Sequence, residues 1–392
     1  MQDATDFEAP SQEEVRTDVL ALFRGAIRMT LESLLEEEIR EMVGAARWAR
    51  LGRKDHRNGS YLRGLLTSMG HLEVTVPRSR ASGSAGAEVL GRYQRRAKEV
   101  DAAITEAYVG GVSTRKMGKV TEALMGDEVS RSTVSRVTKN LEQNVEALRR
   151  APLVQAFPYL YLDATFLNAR WARTVENVSA LVAYAVGEDG HRHLLAVTIG
   201  ASESKEAWEE HLGQLVERGL RGVQLVIADA HAGLGAAVRL VLPETKLQRC
   251  TVHLTRNVLA KAPWRLRGRL GREISKVFEA PSRGEAKKRL DLLRAGLGGQ
   301  VPEAMECLDE GFPAATTFYE FPREHWRRIR TTNGLERLHG EVKRRIRSVG
   351  AFPDRASALR LVTAVALATT ALWDDRQYLN MSLLNPKENI AA

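Results

Sequence analysis

Two apolar segments that end in carboxylates are the strongest chemical signal in the sequence. Pro158–Asp163 (PYLYLD) and Val223–Asp229 (VQLVIAD) each read as a buried strand that ends in an aspartate. In an open α/β sheet, ligands bind beyond the carboxyl ends of the strands. A strand such as LVIAD has no packing reason to end in an acid, although each aspartate could also be an exposed loop cap. We therefore treat Asp163 and Asp229 as candidate site residues.

A third carboxylate, Glu336, lies at the start of a late helix beside a strongly basic run. At 3.6 residues per turn, Glu336, Lys343 and Arg347 share one helical face. Three carboxylates can hold two Mg²⁺ ions about 3.5–4 Å apart, and such pairs catalyse phosphoryl transfer. The neighbouring cations would then hold phosphates. The alternative is that Glu336 in a first helical turn only complements the helix macrodipole.

The elements around these carboxylates predict an α/β catalytic core. A strand at 158–163, a hairpin over 178–199, a helix, and then strands alternating with helices are typical of the mixed sheet of the ribonuclease H-like fold. Residues 254–330 break this alternation and predict an all-helical insertion. The helix after Thr331 and an apolar helix over 359–373 complete the core.

The N-terminal third predicts a mainly helical DNA-binding region. Residues 13–46 repeat apolar side chains at helical spacing and carry an acidic opposite face, which favours packing against another helix or a second copy of the chain. Further on, two short helices joined at Gly126 match a helix-turn-helix, although many three-helix packings look similar. The residues expected towards the DNA groove are Arg131, Ser132, Ser135, Arg136 and Lys139.

Taken together, these patterns predict six segments. They are a possible dimerisation helix at 1–46, a basic region with a β-hairpin at 47–98, a helix-turn-helix-like DNA-binding domain at 99–150, the first part of the core at 151–253, the helical insertion at 254–330, and the core completion with C-terminal helices at 331–392.

Composition and charge narrow the function classes. The 392 residues carry a net charge of +9, with 12 basic and 4 acidic side chains in 47–100 and 16 against 10 in 251–330, whereas 151–250 has 9 against 11. Basic flanks around a slightly acidic middle are typical of a polyanionic partner bound at a site that needs carboxylates, although chance surface charge is an alternative. Two cysteines exclude a disulfide framework and suit a reducing cytoplasm. The longest uncharged stretch, 361–373, is too short to cross a membrane, and no signal peptide is recognised.

Several motifs in order along the chain resemble the mutator-type transposases of bacterial insertion sequences. The motifs that carry the resemblance are YLDATF (161–166), IADAHAGL (227–234), QRCTVHLTRN (248–257), FPREHW (321–326), TNGLER (332–337), EVKRR (341–345) and GAFP (350–353), with RNG (57–59), VPR (76–78) and GVSTR (111–115) before them. The sequence departs from the family pattern at Gly334, where proline is usual, and at His339, where asparagine is usual. Both positions flank Glu336.

The resemblance implies a DDE transposase with Asp163, Asp229 and Glu336 as its catalytic and metal-binding triad. It also implies two Mg²⁺ ions, with Mn²⁺ able to substitute, and double-stranded DNA partners, namely the terminal inverted repeats and the target. Because two ends must be synapsed, a homodimer is expected, and the protein would be cytoplasmic and associated with the nucleoid. The DNA contacts expected near Glu336 are Asn333, Arg337, Lys343, Arg344, Arg345 and Arg347.

The Cys250-x-x-His253 pair is a second family signature. Taken alone it is half a zinc site, and no second Cys/His pair has a suitable spacing, so structural zinc is not expected. We predict instead that His253 orients a carboxylate or a phosphate near the triad and that Cys250 packs as a small hydrophobe. Trp326 could stack on an unpaired base at the transposon end, or it could be a core or hinge residue.

These observations predict a metal-dependent DNA transposase that binds terminal inverted repeats, cleaves at the 3′ end and transfers the strand. A domesticated, catalytically lapsed relative that acts as a sequence-specific DNA-binding protein is the alternative. A metal-dependent nuclease without strand transfer is a further alternative, whereas a carboxylate-pair glycosidase leaves the basic flanks unexplained.

Overall fold

The computed structural model describes residues 12–49, 52–81, 83–86, 90, 95–171, 174–373 and 376–384. It divides into two compact units, residues 1–139 and 140–392, and each unit is described by itself. The division falls inside the predicted segment 99–150. Residues 1–11 and 385–392, which belong to the first and last predicted segments, lie outside the described residues.

In the first unit a long helix packs against a β-hairpin. Helix α1 (Gln12–Val43) lies on strands β1 (Arg57–Thr67) and β2 (Gly70–Ser79), which pair antiparallel. Strand β2 alternates buried and exposed residues, so that one face meets the apolar stripe of α1 and the other faces solvent. The core of this contact contains Leu35, Ile39, Val43, Leu65, Leu72, Val74 and Val76.

Three further helices complete the described part of the first unit. They are α2 (Lys98–Val109), α3 (Thr114–Met125) and α4 (Arg131–Val137). Gly126 ends α3 in the left-handed conformation, with φ 71°, a geometry that glycine adopts without strain. The side chain of Ser130 caps α4 by accepting a hydrogen bond from the backbone N–H of Thr133. The two helices joined at Gly126 are therefore confirmed.

A mixed sheet forms the centre of the second unit. After α5 (Glu142–Arg150) come β3 (Tyr159–Trp171), β4 (Thr174–Val186), β5 (Arg192–Gly200), α6 (Lys205–Glu217), β6 (Leu225–Ala228), α7 (Ala232–Val241) and β7 (Lys246–Arg249). The strand order is β5-β4-β3-β6-β7 among the described residues. Strands β3, β4 and β5 are antiparallel neighbours, whereas β6 and β7 continue the sheet in parallel with β3. The fold is thus mixed α/β, as predicted.

The two faces of this sheet bury different side chains. Leu160 and Leu162 of β3 pack with Trp208 of α6 and Leu234 of α7 in one apolar core. Because side chains alternate along a strand, Tyr159 and Tyr161 point to the opposite face. There Tyr161 stacks on Tyr184 with ring centroids 4.4 Å apart.

A run of helices follows β7, as the broken alternation predicts. These are α8 (Thr251–Ala260), α9 (Trp264–Phe278), α10 (Arg283–Leu297), α11 (Pro302–Ala315) and α12 (Trp326–Ile329). The chain then forms α13 (Asn333–Val349), a short β8 (Ala351–Phe352) that pairs with β3, and α14 (Arg355–Thr370). Helix α14 packs on β5 and β3, the side of the sheet opposite α6 and α7. None of the described helices combines the length and apolarity needed to cross a bilayer.

Candidate active site

Asp163 and Asp229 follow two neighbouring parallel strands by the same number of residues from a shared register pair. Tyr161 of β3 is the register partner of Ile227 of β6, and each aspartate lies two residues further along the chain. Strands in a sheet are about 4.8 Å apart, so the two carboxylates start from adjacent points on the same edge. Each accepts a hydrogen bond from the next backbone N–H, at 3.0 Å for Ala164 and 2.6 Å for Ala230.

The structure corrects the prediction that Asp163 ends its strand. Strand β3 continues for eight residues beyond Asp163, to Trp171, and remains paired with β4 along that length. What ends near Asp163 is the pairing with β6, because β6 stops at Ala228. Asp163 therefore lies where β3 runs past the end of β6 while it stays paired with β4, whereas Asp229 follows the last residue of β6, as predicted.

Glu336 lies in the first turn of α13 and is held by two cationic side chains from α8. Oε1 of Glu336 is 2.8 Å from Nη1 of Arg256 and 3.2 Å from Nε2 of His253. A second contact joins Nη2 of Arg256 to Oε2 of Glu336 at 3.2 Å. The Glu336 side chain is 26% exposed. Helix α8 therefore fixes the carboxylate that α13 carries.

His253 connects Glu336 to the sheet edge. Its Nδ1 lies 3.9 Å from Oδ2 of Asp229, on the side of the ring opposite the contact with Glu336. The pKa of His253 is raised to about 9; the hydrogen bond with Cys250 is the largest cause, the charges of Asp229 and Asp163 act in the same direction, and burial opposes them. At neutral pH the imidazolium thus offsets part of the carboxylates' negative charge. This placement is compatible with the predicted orienting role, which stays a prediction.

Cys250 joins the start of α8 to the start of α13. Its thiol is fully buried, and Sγ accepts hydrogen bonds from the backbone N–H and the hydroxyl of Thr332, each at 3.4 Å. Burial raises the pKa of this thiol, but the hydrogen bonds from His253 and Thr332 outweigh it, and the net shift is downward. Sequence reasoning placed Cys250 in the core and missed this acceptor role, because no local pattern indicates a partner 82 residues away.

Two further side chains at the site were not predicted as site residues. Nδ1 of the buried His339 lies 3.2 Å from Oδ2 of Asp163. The signal was its spacing, since His339 follows Glu336 by three residues and so shares its helical face. Glu203, just before α6, is largely buried; burial raises its pKa, His231 opposes this, and Asp163 and Asp229 raise it further. No sequence pattern marked Glu203.

The donor chemistry at this edge fits a hard divalent cation. Asp163, Asp229 and Glu336 offer the carboxylate oxygens that Mg²⁺ prefers. Among the described residues, no three His, Cys, Asp or Glu side chains are already gathered as a set of metal ligands. Instead each triad carboxylate contacts a nitrogen, from His339, His253 or Arg256.

The DNA contacts predicted in the first unit lie on the outer side of α4 and just beyond it. The five predicted side chains are all exposed, whereas Val134 and Val137 face the core. The exposed set is Arg131, Ser132, Ser135, Arg136 and Lys139.

On α13 the predicted contacts are mostly exposed as well. Asn333, Arg337, Lys343, Arg344 and Arg347 are exposed, and Arg345 is half-buried. Arg344 and Arg345 both contact the carboxylate of Glu341, at 2.9 Å and 3.6 Å.

Trp326 lies in an aromatic cluster. Its indole N–H donates to the backbone oxygen of Phe321 at 2.7 Å, and its ring packs edge-on against Phe318 and Tyr319. This geometry is that of the core alternative raised from the sequence. Stacking of Trp326 on a base stays a prediction.

Comparison with known proteins gives a consistent relationship along the whole chain. A family model described as "Transposase, Mutator family" matches residues 1–375. The transposase for insertion sequence element ISRM5 of Rhizobium meliloti is 37% identical over 94% of this chain and 93% of its own length. The transposase for IS406 of Burkholderia multivorans is 36% identical, over 91% of this chain and 93% of its own length. The transposase for IS256 in transposon Tn4001 of Staphylococcus aureus is 34% identical over the same shares. The chain belongs to the Mutator family of transposases.

Proposed function

We propose that this protein is a DDE transposase that binds the terminal inverted repeats of an insertion sequence and catalyses metal-dependent 3′-end cleavage and strand transfer. The observation that carries the proposal is the shared register of Asp163 and Asp229, with Glu336 linked to the same edge through His253. These contacts support the proposal that three carboxylates remote in sequence act together at one edge of the sheet.

The sheet supports a ribonuclease H-like assignment for this core. Three antiparallel strands precede a helix, and two parallel strands alternating with helices follow on the other side of β3. This is the arrangement expected from the sequence for that fold. The helical run from α8 to α12 lies between β7 and α13, where the sequence predicts an insertion.

Asp163, Asp229 and Glu336 would hold two Mg²⁺ ions, with Mn²⁺ able to substitute. When bound, such ions activate the attacking oxygen and stabilise the leaving oxygen of a phosphodiester. Arg256 and His253 keep the Glu336 carboxylate aimed at the edge that carries Asp229. His339, which lies on the same face of α13 as Glu336, contacts the Asp163 carboxylate.

The reaction consists of two displacements at phosphorus. In the first, a water oxygen bonds to phosphorus and the O3′–P bond breaks, which leaves a 3′-hydroxyl on the element and a 5′-phosphate on the flanking DNA. In the second, this 3′-hydroxyl attacks a phosphodiester of the target and releases a target 3′-hydroxyl. The chain's own contribution is to orient the carboxylates and to bind the negatively charged strands through basic residues.

DNA recognition is assigned to the first unit and assembly to α1. The outer side of α4 presents two arginines, and a lysine lies just beyond its end; these side chains would enter a major groove. Along α1, Leu22 is 73% exposed and Phe23 is 55% exposed, although α1 buries another face against the hairpin. Exposed apolar side chains on this helix support its role as the surface between two copies in a synaptic dimer.

The proposal is tested with end-labelled DNA that carries the element's terminal inverted repeat. The wild-type protein in Mg²⁺ or Mn²⁺ should release the flanking strand and then yield joined products when target DNA is added. Cleavage without joining would identify a nuclease, and sequence-specific binding without cleavage would identify a DNA-binding regulator. Either result contradicts the proposal.

A further inference from the structure

A cavity of about 700 Å³ in the second unit is lined by arginines and lies next to the carboxylate site. Residues of α8, α9, α12 and α13 form its walls together with the segment around Tyr378. One carboxylate, Glu279, is part of the lining. The arginines of the lining are Arg192, Arg256, Arg327, Arg328, Arg330 and Arg337. The volume is that of a small-ligand site, large enough for one or two nucleotides.

These arginines have few acidic partners. Arg256 has its guanidinium within 4 Å of a carboxylate, that of Glu336. The other five arginines have no such contact among the described residues. Arg330 donates to the backbone oxygen of Phe278 at 2.8 Å. Gathering like charges without counter-charges costs free energy, and an anionic ligand removes that cost. The lining therefore indicates a site for a polyanion.

Aromatic rings hold two of these arginines in place. The guanidinium of Arg192 lies 4.1 Å from the ring centre of Trp373 and 4.6 Å from that of Tyr378. The guanidinium of Arg328 lies 4.8 Å from the same Tyr378 ring. A guanidinium that is already held against aromatic rings loses little conformational entropy when it binds phosphate. Arg192 and Arg328 are thus pre-arranged as phosphate ligands.

The position of Tyr378 is fixed by backbone contacts. The N–H groups of Tyr378 and Leu379 donate to the carbonyl oxygen of Gly190, at 2.8 Å and 3.1 Å. A Cβ at residue 190 would lie 2.2 Å from the Leu379 oxygen, and Gly190 has φ 77°, so only glycine fits this contact. On the other side, Nε2 of His325 is 2.8 Å from the oxygen of Asn380. The segment is therefore built to place this ring in the cavity wall.

The cavity is continuous with the candidate active site. Asn333 and Gly334, at the N-terminus of α13, line it, and Glu336 follows within the same helical turn. Arg256 lines the cavity and contacts the Glu336 carboxylate. A strand whose phosphodiester lies at the carboxylates would therefore place its adjoining phosphates among these arginines.

We propose that this cavity binds the sugar-phosphate backbone of a single DNA strand beside the scissile phosphodiester, with Arg192 and Arg328 as phosphate ligands and Tyr378 as their positioning residue. The location beside the scissile bond rests on the proposed function. The binding of single-stranded backbone does not, because it requires neither metal nor cleavage.

The test measures binding of a fluorescein-labelled oligothymidine to the full chain without divalent metal, by anisotropy over a series of salt concentrations. Arg192→Gln and Arg328→Gln should each weaken binding about tenfold at low salt. Each should also lower the slope of log affinity against log salt by about 0.7, the value for one single-strand phosphate contact. The matched control is Arg239→Gln, an exposed arginine of α7 on the opposite face of the sheet, and it should leave both quantities unchanged.

Two further variants separate positioning from general damage. Tyr378→Phe keeps the ring and should bind like the wild type, whereas Tyr378→Ala should resemble the arginine variants. Arg328→Lys keeps the charge and should retain the salt slope. Equal affinity and equal slope for wild type, Arg192→Gln and Arg328→Gln, with all three proteins folded, would overturn the proposal.

The strand can come from the element or from the target. The arginine variants are compared with the wild type on a forked duplex that carries the inverted repeat and on an unrelated forked duplex of equal length. If the variants bind only the first fork more weakly than the wild type does, the site takes the element strand. If they bind both forks more weakly, the site takes strands of either origin. If the wild type neither cleaves nor joins DNA but the arginine variants still lose single-strand affinity, the proposed function fails and the binding site stands.

Discussion

Asp163 and Asp229 each follow the register pair Tyr161–Ile227 by two residues, Asp163 within β3 and Asp229 just past the end of β6. They are 66 residues apart in the chain, and the parallel pairing of the two strands brings them together. Because Tyr161 and Ile227 are buried and paired, the sheet sets the backbone position from which each aspartate starts, and Asp229 itself lies in the connection between β6 and α7. The remaining member of the triad, Glu336, depends on how α13 approaches that sheet.

The approach of α13 depends on Gly334. A Cβ at residue 334 would lie 2.6 Å from Oη of Tyr184, a buried ring stacked on Tyr161. We expect Gly334→Ala to push the start of α13 outwards and to lower strand cleavage by at least tenfold, because sub-ångström misplacement of a catalytic group is costly. Cleavage of labelled inverted-repeat DNA measures this effect.

Removing the hydroxyl that causes the clash provides the control. Oη of Tyr184 has no hydrogen-bond partner among the described residues, so Tyr184→Phe alone should retain cleavage. The double variant Gly334→Ala/Tyr184→Phe should recover most of the lost rate, since the next atom is 3.2 Å away. A double variant as slow as Gly334→Ala would refute this account of residue 334.

The thiol of Cys250 should stabilise the junction between α8 and α13. Cys250→Ala removes the acceptor for two donors of the buried Thr332 and should cost about 1–3 kcal/mol of unfolding free energy. Because Thr332 precedes the helix that carries Glu336, cleavage should fall as well. Cys250→Ser keeps an acceptor and should lose less on both measurements.

Cys307→Ala is the matched control for this prediction. Cys307 is also a buried free thiol, on α11, so its replacement should change stability through packing and leave cleavage near the wild-type rate. Equal losses of cleavage for Cys250→Ala and Cys307→Ala, in proteins of equal stability, would argue against a role for the Thr332 contact.

Acid sensitivity of the second unit should arise partly from His211. Burial, together with the charge of Arg218, lowers the pKa of His211 to about 3, and its Nδ1 lies 2.8 Å from the Thr198 hydroxyl. Between an unfolded pKa of about 6.5 and this value, the unfolded chain binds a proton that the folded chain does not. Stability should therefore fall as pH falls through that window, by up to about 1.4 kcal/mol per pH unit.

Denaturant unfolding at several pH values, with His211→Gln as the comparison, checks this prediction. The stability advantage of the wild type over His211→Gln should be constant above about pH 7 and shrink below about pH 6. Thr198→Val alters the same contact but keeps the imidazole, so it should retain the acid dependence. A constant difference between wild type and His211→Gln down to pH 4 would exclude His211 as the source.

End recognition should depend on the outer side of α4. Arg136 is exposed there, and Arg136→Ala should weaken binding to inverted-repeat duplex about tenfold, the effect of losing a base or phosphate contact. Arg28→Ala, an equally exposed arginine on α1, should bind like the wild type. Electrophoretic mobility shifts at fixed salt measure both, and unchanged binding by Arg136→Ala would reject α4 as the reading helix.

Local sequence signals predicted most elements of the fold, because apolar periodicity and glycine turns act over short distances. The helices at 205–217 and 232–241 and the hairpin around Gly187–Gly190 follow from such patterns. The extension of β3 past Asp163 was missed, since its partner along that stretch is β4 and its residues are only partly apolar. The two-residue strand β8 is too short to carry a pattern.

Contacts between residues far apart in the sequence were the part of the site that could not be predicted. The resemblance selected the triad residues, but the contacts of His339 with Asp163 and of Cys250 with Thr332 join segments more than 80 residues apart. For Trp326 the sequence left two roles open, because a tryptophan beside basic residues has the same sequence pattern whether it packs in the core or stacks on DNA.

The most direct measurement is strand cleavage by Asp163→Asn, Asp229→Asn and Glu336→Gln on labelled inverted-repeat DNA, alongside binding of the same DNA. Glu341→Gln, a glutamate on the same helix α13, is the control and should cleave at the wild-type rate. We predict that each triad variant binds the end normally and loses cleavage by at least a thousandfold, an effect of about 4 kcal/mol on the barrier. Cleavage by any triad variant at the rate of Glu341→Gln would contradict the assignment of the active site.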